Sequence, residues 1–281
     1  MTNPLTEALE QTTNVLSVEL RPPRAELDWA AGMDAWIDTY HAVRGLVRDG
    51  MFVFLTDSAV GAKEENNLRH LVINLGTDVP RSHVIPFLTT KHTREYCLSY
   101  AEHALHQGFS TMVVLGGDKS VGPPRCVEHA WQLREDIRRH VPDLALGGWA
   151  NPHQSAESQV GHLSDPRFSA EFFLTQVVSH HDLPKVEAFL TVRQKAGVTA
   201  PGIFGVFYYR SANPKTLATL KQFLTVPAEA LTAEFSAGES PEALCARSIR
   251  ELRRVGVRHL YLSNLPTRGT RQTLERILSL V

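Results

Sequence analysis

Short apolar runs rich in β-branched and aromatic residues recur along the chain, each followed by a turn and a longer stretch with helical apolar spacing. The strand-like runs fall at 15–20, 51–56, 83–88, 111–115, 144–149, 172–177, 202–208 and 259–264. Helical spacing occupies 33–48, 93–107, 124–139, 183–196, 241–255 and 271–280. Gly50, Gly108, Gly197 and Gly256 each follow a helical stretch, where a left-handed residue closes the last turn before the next strand. The first dozen residues read as a loose helix, and 213–239 as two short ones, with Pro227 starting the second. Repeated strand–helix alternation means parallel strands covered by helices. An open doubly wound sheet would favour a glycine-rich turn after the first strand. Here that turn is Arg21-Pro22-Pro23-Arg24, and paired prolines offer no N–H to a pyrophosphate. The pattern therefore predicts an α/β fold, a single (β/α)8 TIM barrel over 1–281.

Composition narrows the class of function. The 281 residues are 43% hydrophobic and 21% charged, enough to bury a core, and the formal net charge is -1 with both signs interspersed. No basic stripe is available to neutralise a phosphate backbone, so nucleic acid is not an expected partner. Cys97, Cys126 and Cys245 are odd in number and far apart in sequence, which argues against a disulfide framework and a thiolate metal site. Residues 1–11 lack the basic and apolar regions of an export signal, and no apolar run approaches the roughly 20 residues that span a bilayer. The reading is a cytoplasmic protein with a small-molecule substrate and no membrane partner; a homo-oligomer is compatible with it.

A barrel of this kind carries its chemistry at the C-terminal ends of its strands. The polar residues there are Glu19, Thr56, Asp57, Thr89, Asp118, Asn151, His153, Gln176 and Asn264. Alternation along 15–20 puts Glu19 on the side of Val15 and Ser17, and an inward carboxyl among apolar walls becomes a general acid near neutral pH. The competing reading is a strand-end glutamate paired with Arg21 or Arg24. Leu115-Gly116-Gly117-Asp118 permits close approach of a flat ligand and then offers a carboxylate, although Asp after Gly-Gly is equally a turn residue. Gln176, inside an apolar strand, needs a partner or a ligand. His153 and the His180-His181 pair lack a metal-binding spacing backed by carboxylates, and His103, His106, His129 and His140 fall on solvent-facing helical stretches, so no metal is expected.

Ser17-Val18-Glu19-Leu20-Arg21-Pro22-Pro23-Arg24 resembles the opening strand motif of the methylenetetrahydrofolate reductases. The resemblance continues at 115–118, at 149–156 around His153, at 173–176 and at 201–203, in the family's order and approximate spacing over nearly the whole chain. It implies reduction of 5,10-methylenetetrahydrofolate to 5-methyltetrahydrofolate, with Glu19 as the acid that helps open the substrate's five-membered ring. It also implies that Asp118 and Gln176 hold the pterin, with Phe207 and Asn264 beside the substrate. Members that use FAD carry an Arg in the strand-four motif, a His at the end of strand three and basic residues before the strand-six motif. Here these places hold Gly116, Phe87 and Leu163-Ser164-Asp165-Pro166, with Arg167 the one cation nearby. The chain is thus closer to a flavin-independent actinobacterial branch, in which Thr56, Asp57, Leu115, Gly117, Trp149, Asn151 and His153 contact the nicotinamide nucleotide. NADH is favoured over NADPH as hydride donor, and bound FAD is not expected. The alternatives are an FAD-dependent reductase and a barrel that binds folate or a nucleotide without turnover.

Overall fold

The computed structural model describes residues 3–11, 14–23, 27–57, 75, 79–119 and 121–281. Eight parallel strands close into a barrel in sequence order. They are β1 (Leu16–Leu20), β2 (Phe52–Leu55), β3 (Val84–Thr89), β4 (Thr111–Leu115), β5 (Ala145–Ala150), β6 (Phe172–Val177), β7 (Gly202–Phe207) and β8 (His259–Ser263). The described helices are α1 (Pro4–Gln11), α2 (Trp29–Arg48), α3 (Arg94–His106), α4 (Ala130–His140), α5 (Ala156–Ser164), α6 (Leu183–Lys195), α7 (Pro214–Leu220), α8 (Ala228–Ser236), α9 (Pro241–Arg254) and α10 (Thr270–Leu278). The chain is a (β/α)8 TIM barrel, as the alternation predicts.

Strand alternation divides the core in two. Outward residues such as Val18, Leu20, Val53, Phe173 and Leu262 pack against the helices, whereas Val15, Phe52, Phe54, Ile85, Val113, Phe172, Leu174, Ile203 and Tyr261 fill the barrel interior. Leu5 and Leu9 of α1 belong to the interior cluster. The N-terminal helix is therefore a buried plug rather than a loose segment, and Asn3 Nδ2 pins it to Ser110 O at 2.8 Å and Thr111 Oγ1 at 2.7 Å. The floor of the barrel is sealed at its N-terminal end.

Helix α2 starts at Trp29, behind an Asp28 cap, rather than at Met33, and two further helices depart more from the sequence reading. The stretch expected at 124–139 begins only at Ala130, because 121–126 is tied to the turn after β3. Cys126 N donates to Thr90 O at 2.7 Å, and the buried Lys91 Nζ donates to Val121 O and Pro123 O at 2.7 and 2.8 Å. Helix α5, absent from the reading, starts at an ordinary serine cap, with Ser155 Oγ accepting from Ser158 N. The glycines after α2, α3, α6 and α9 do take positive φ. The two helices expected in 213–239 are present as α7 and α8.

Candidate active site

Glu19 ends the inward series of β1, and its neighbours explain its chemistry. Strand pairing sets Ser17 level with Tyr261 of β8 and Glu19 level with Phe54 of β2. Phe54 meets Tyr261 edge-on at 6.1 Å and Phe87 at 5.9 Å, so an aromatic floor lies beneath the carboxyl. Burial pushes the Glu19 carboxyl up to about 7; the Ser263 hydroxyl, donating to Oε1 at 2.9 Å, and the Arg21 charge pull it only partly back. A carboxyl raised this far can carry a proton near neutral pH, which an ordinary glutamate does not. Of the two readings of Glu19, the inward one fits: Arg21 acts only through its charge, and Arg24 lies outside the described residues.

Opposite Glu19, β6 carries a bulge. Its pairing with β7 steps from Leu174↔Ile203 to Val177↔Gly205, an extra residue on the β6 side. Thr175 secures the irregularity: Tyr261 Oη donates to Thr175 O at 2.7 Å, and Gly205 N donates to Thr175 Oγ1 at 3.2 Å. Gln176 sits half-buried at this bulge, with Oε1 accepting from Val177 N at 3.0 Å. Leu115 and Trp149 pack partly exposed on the interior cluster and extend its apolar wall upward. Phe207, at the end of β7, is half-buried with its ring 4.8 Å from Tyr209. Glu19, Leu115, Trp149, Gln176 and Phe207 thus belong to one barrel end.

Several of the expected nucleotide contacts, and Asn264 of the expected substrate contacts, also tie the strand ends together. Asp57 Oδ2 accepts from Thr89 N at 2.7 Å and from Thr89 Oγ1 at 2.9 Å, and His92 Nε2 lies 2.9 Å from it. That carboxylate joins the ends of β2 and β3. We expect Asp57→Ala to cost about 2–3 kcal/mol by leaving the buried Thr89 N–H unpaired. Thermal unfolding should report this as a drop of several degrees; an unchanged melting temperature would show that the Asp57 bonds do not hold the two strand ends together. The His153 side chain is only 3% exposed, and its Nε2 lies 2.8 Å from Val177 O, so it braces the β5 loop against β6. Asn151 supports the same loop by accepting from His153 N. Asn264 adopts a left-handed φ of 68° and donates to Tyr208 O at 2.9 Å, which ties β8 to β7. Thr56, just beyond β2, donates its N–H to Leu20 O and stays half-buried. The side chains of Asp57, Asn151, His153 and Asn264 each satisfy backbone groups of a strand end or its loop.

The strand-four loop corrects the picture of lost positive charge. Gly117 has φ 68°, and Asp118 Oδ1 accepts from Val121 N at 3.0 Å, which is the turn reading of Asp118. The Arg125 guanidinium lies where a side chain on Gly116 would stand, about 2.9 Å from its Cβ position, and donates to Gly117 O. A cation therefore returns to this place from nine residues downstream in the sequence. Arg167 makes no such compensation: its guanidinium pairs with Asp165 at 2.6 Å and covers Trp131 at 5.0 Å.

Sequence reasoning missed Ser263, Tyr261 and Arg125. The first two share the inward face of β8 by simple alternation, a signal that was available; Arg125 reaches the site through loop geometry alone.

No protein-family model and no curated protein matches this sequence. Among solved structures, 98% of the chain aligns with 97% of a Clostridium thermocellum protein at 17% identity and a TM-score of 0.70; that protein is described as binding two copies of 5-methyl-5,6,7,8-tetrahydrofolic acid. What the two share is the fold. A 2,3-dimethylmalate lyase of the PEP mutase/isocitrate lyase superfamily aligns over 99% of this chain and 86% of its own at 11% identity and a TM-score of 0.53. A mandelate oxidase variant with an FMN adduct aligns over 94% and 71% at 13% identity and a TM-score of 0.50. At these identities the comparisons establish the barrel.

Proposed function

We propose that this barrel reduces 5,10-methylenetetrahydrofolate to 5-methyltetrahydrofolate with hydride from NADH or NADPH. The observation that carries the reading is Glu19, a carboxyl that burial pushes up to about 7, held by Ser263 over an aromatic floor in the barrel mouth. The motif resemblance around it, and a fold shared with a protein described as binding 5-methyltetrahydrofolic acid, support the folate as substrate.

In this reading Glu19 gives its proton to the ring nitrogen that departs as the five-membered ring opens, and the iminium left behind takes the hydride at its carbon. The nicotinamide supplies that hydride. Ser263 keeps the carboxyl aimed and steadies the carboxylate once the proton has gone. Leu115 and Trp149 provide flat apolar walls, and Gln176 offers an amide to the pterin's polar edge. Aligning the two reactants supplies a proximity contribution of up to about 7–11 kcal/mol.

The Arg125 guanidinium beside Gly116 favours a second reading, in which the anionic diphosphate of a bound flavin lies across the strand-four loop. One experiment separates the readings. The visible spectrum of the purified protein is recorded, and loss of nicotinamide absorbance is followed with methylenetetrahydrofolate and no added flavin. Turnover by a colourless protein is the expected result. A yellow protein active only with stoichiometric FAD would overturn direct hydride transfer, and no oxidation under either condition would overturn the reductase itself.

A further inference from the structure

At the same barrel end as Glu19, the loop after β6 presents two adjacent histidines to α8. Ser179 N and Oγ both donate to Asp182 Oδ2, at 2.9 and 2.8 Å, and this small turn fixes the loop. His180 Nε2 lies 2.8 Å from Glu234 Oε1 and His181 Nε2 lies 3.1 Å from Glu234 Oε2, with the two rings 3.9 Å apart. All three ligand atoms fall within 4.8 Å of one another. The side chains are 11%, 21% and 16% exposed, so the cluster is sheltered yet reachable.

Its surroundings are those of a ligand set held in place. The second ring nitrogen of His180 lies 2.9 Å from Ser248 Oγ on α9, and Arg247 Nη1 donates to Glu234 Oε1 at 3.0 Å, which leaves Oε2 turned to His181. Such outer contacts orient imidazole and carboxylate ligands toward an ion. A void of about 10 Å³ adjoins both histidines, walled by Phe207, Tyr209, Leu231 and Leu244. It has room for about one water, the usual fourth ligand where a protein supplies three. Two imidazole nitrogens and one carboxylate oxygen suit zinc-like divalent ions over magnesium or calcium.

We propose that His180, His181 and Glu234 form a site for a zinc-class divalent ion, with a water from the adjoining void as fourth ligand, clamping α8 onto the loop after β6. The alternative is a metal-free knot in which both imidazoles and the Arg247 guanidinium share the Glu234 carboxylate.

Chelator-treated protein is titrated with Zn²⁺ against a chromophoric competitor, and separately with Co²⁺ while its visible spectrum is recorded. Expected are tight saturable Zn²⁺ binding, intense tetrahedral Co²⁺ bands, and affinity weakened about tenfold or more in His181→Ala and in Glu234→Gln. His103→Ala, on exposed α3, should bind like the parent. Equal affinity in all variants, or only the weak bands of hydrated Co²⁺, would leave the metal-free knot and overturn the proposal. Should a variant fail to fold, the parent decides alone: a Zn²⁺-dependent rise in its melting temperature supports the site, and absence of both that rise and the Co²⁺ bands overturns it. The proposal is independent of the folate reading, and neither readout depends on turnover.

Discussion

Replacing Glu19 by Gln should lower the reductase rate by about 100- to 10,000-fold while leaving binding of the reduced folate within a few-fold, since only the transferable proton is removed. In the unaltered protein kcat/KM should fall as pH rises above about 7, where the carboxyl loses its proton. The same substitution should act on stability in the opposite direction. The folded carboxyl holds its proton up to about 7, against an ordinary value of 4.5. Stability is therefore fullest below pH 4.5 on this account and is lost as pH climbs through 7. Above that, burial of the charged carboxylate costs on the order of 3 kcal/mol. Glu19→Gln avoids that cost, so at pH 8 the variant should melt at a higher temperature than the parent. A variant that is inactive and also less stable at pH 8 would show that Glu19 serves the fold rather than the reaction.

The second large effect concerns the barrel wall. A Cβ on Gly202 would stand 2.4 Å from the Phe173 ring, and that ring cannot yield readily. Phe189 meets it edge-on at 6.1 Å and the Arg193 guanidinium lies over it at 5.5 Å. Gly202→Val should therefore cost about 3 kcal/mol or more, read as a fall in melting temperature or as loss of soluble protein. Gly161, inside α5 with open space where its side chain would go, is the internal control: Gly161→Ala should stabilise by about 0.5–1 kcal/mol. If both substitutions were neutral, the packing described for β6 and β7 would be wrong.

Alternation and punctuation made the barrel legible, because a strand buried on both faces between two helices leaves a short apolar run that little else produces. Glu19 was legible for the same reason: two-residue periodicity from Val15 puts it inside. Its partner was not, since Ser263 is 244 residues away and meets it only when the barrel closes. At Asp57, His153 and Asn264 the polar side chain also serves backbone groups of a neighbouring strand. A side chain that satisfies backbone groups of the next strand carries the same signature as one that awaits a ligand. Helix α5 was overlooked since its nine residues bury only Val160 and Leu163, too few to impose a period. The early start expected for α4 failed because Lys91 and Thr90 hold 121–126 by backbone carbonyls and N–H groups that any sequence there would present.

Closure of the barrel also sets an order of assembly. β1 pairs on one side with β2 and on the other with β8, whose Leu260 N donates to Val15 O at 2.9 Å. During synthesis the first strand therefore waits with an open edge until the last one has left the ribosome, and open edges recruit foreign strands. A chain cut before His259 would keep that edge indefinitely, and it would also lack Ser263 and Tyr261. Shortened products should accumulate as aggregates, and chaperone demand should fall only once the final strand is made.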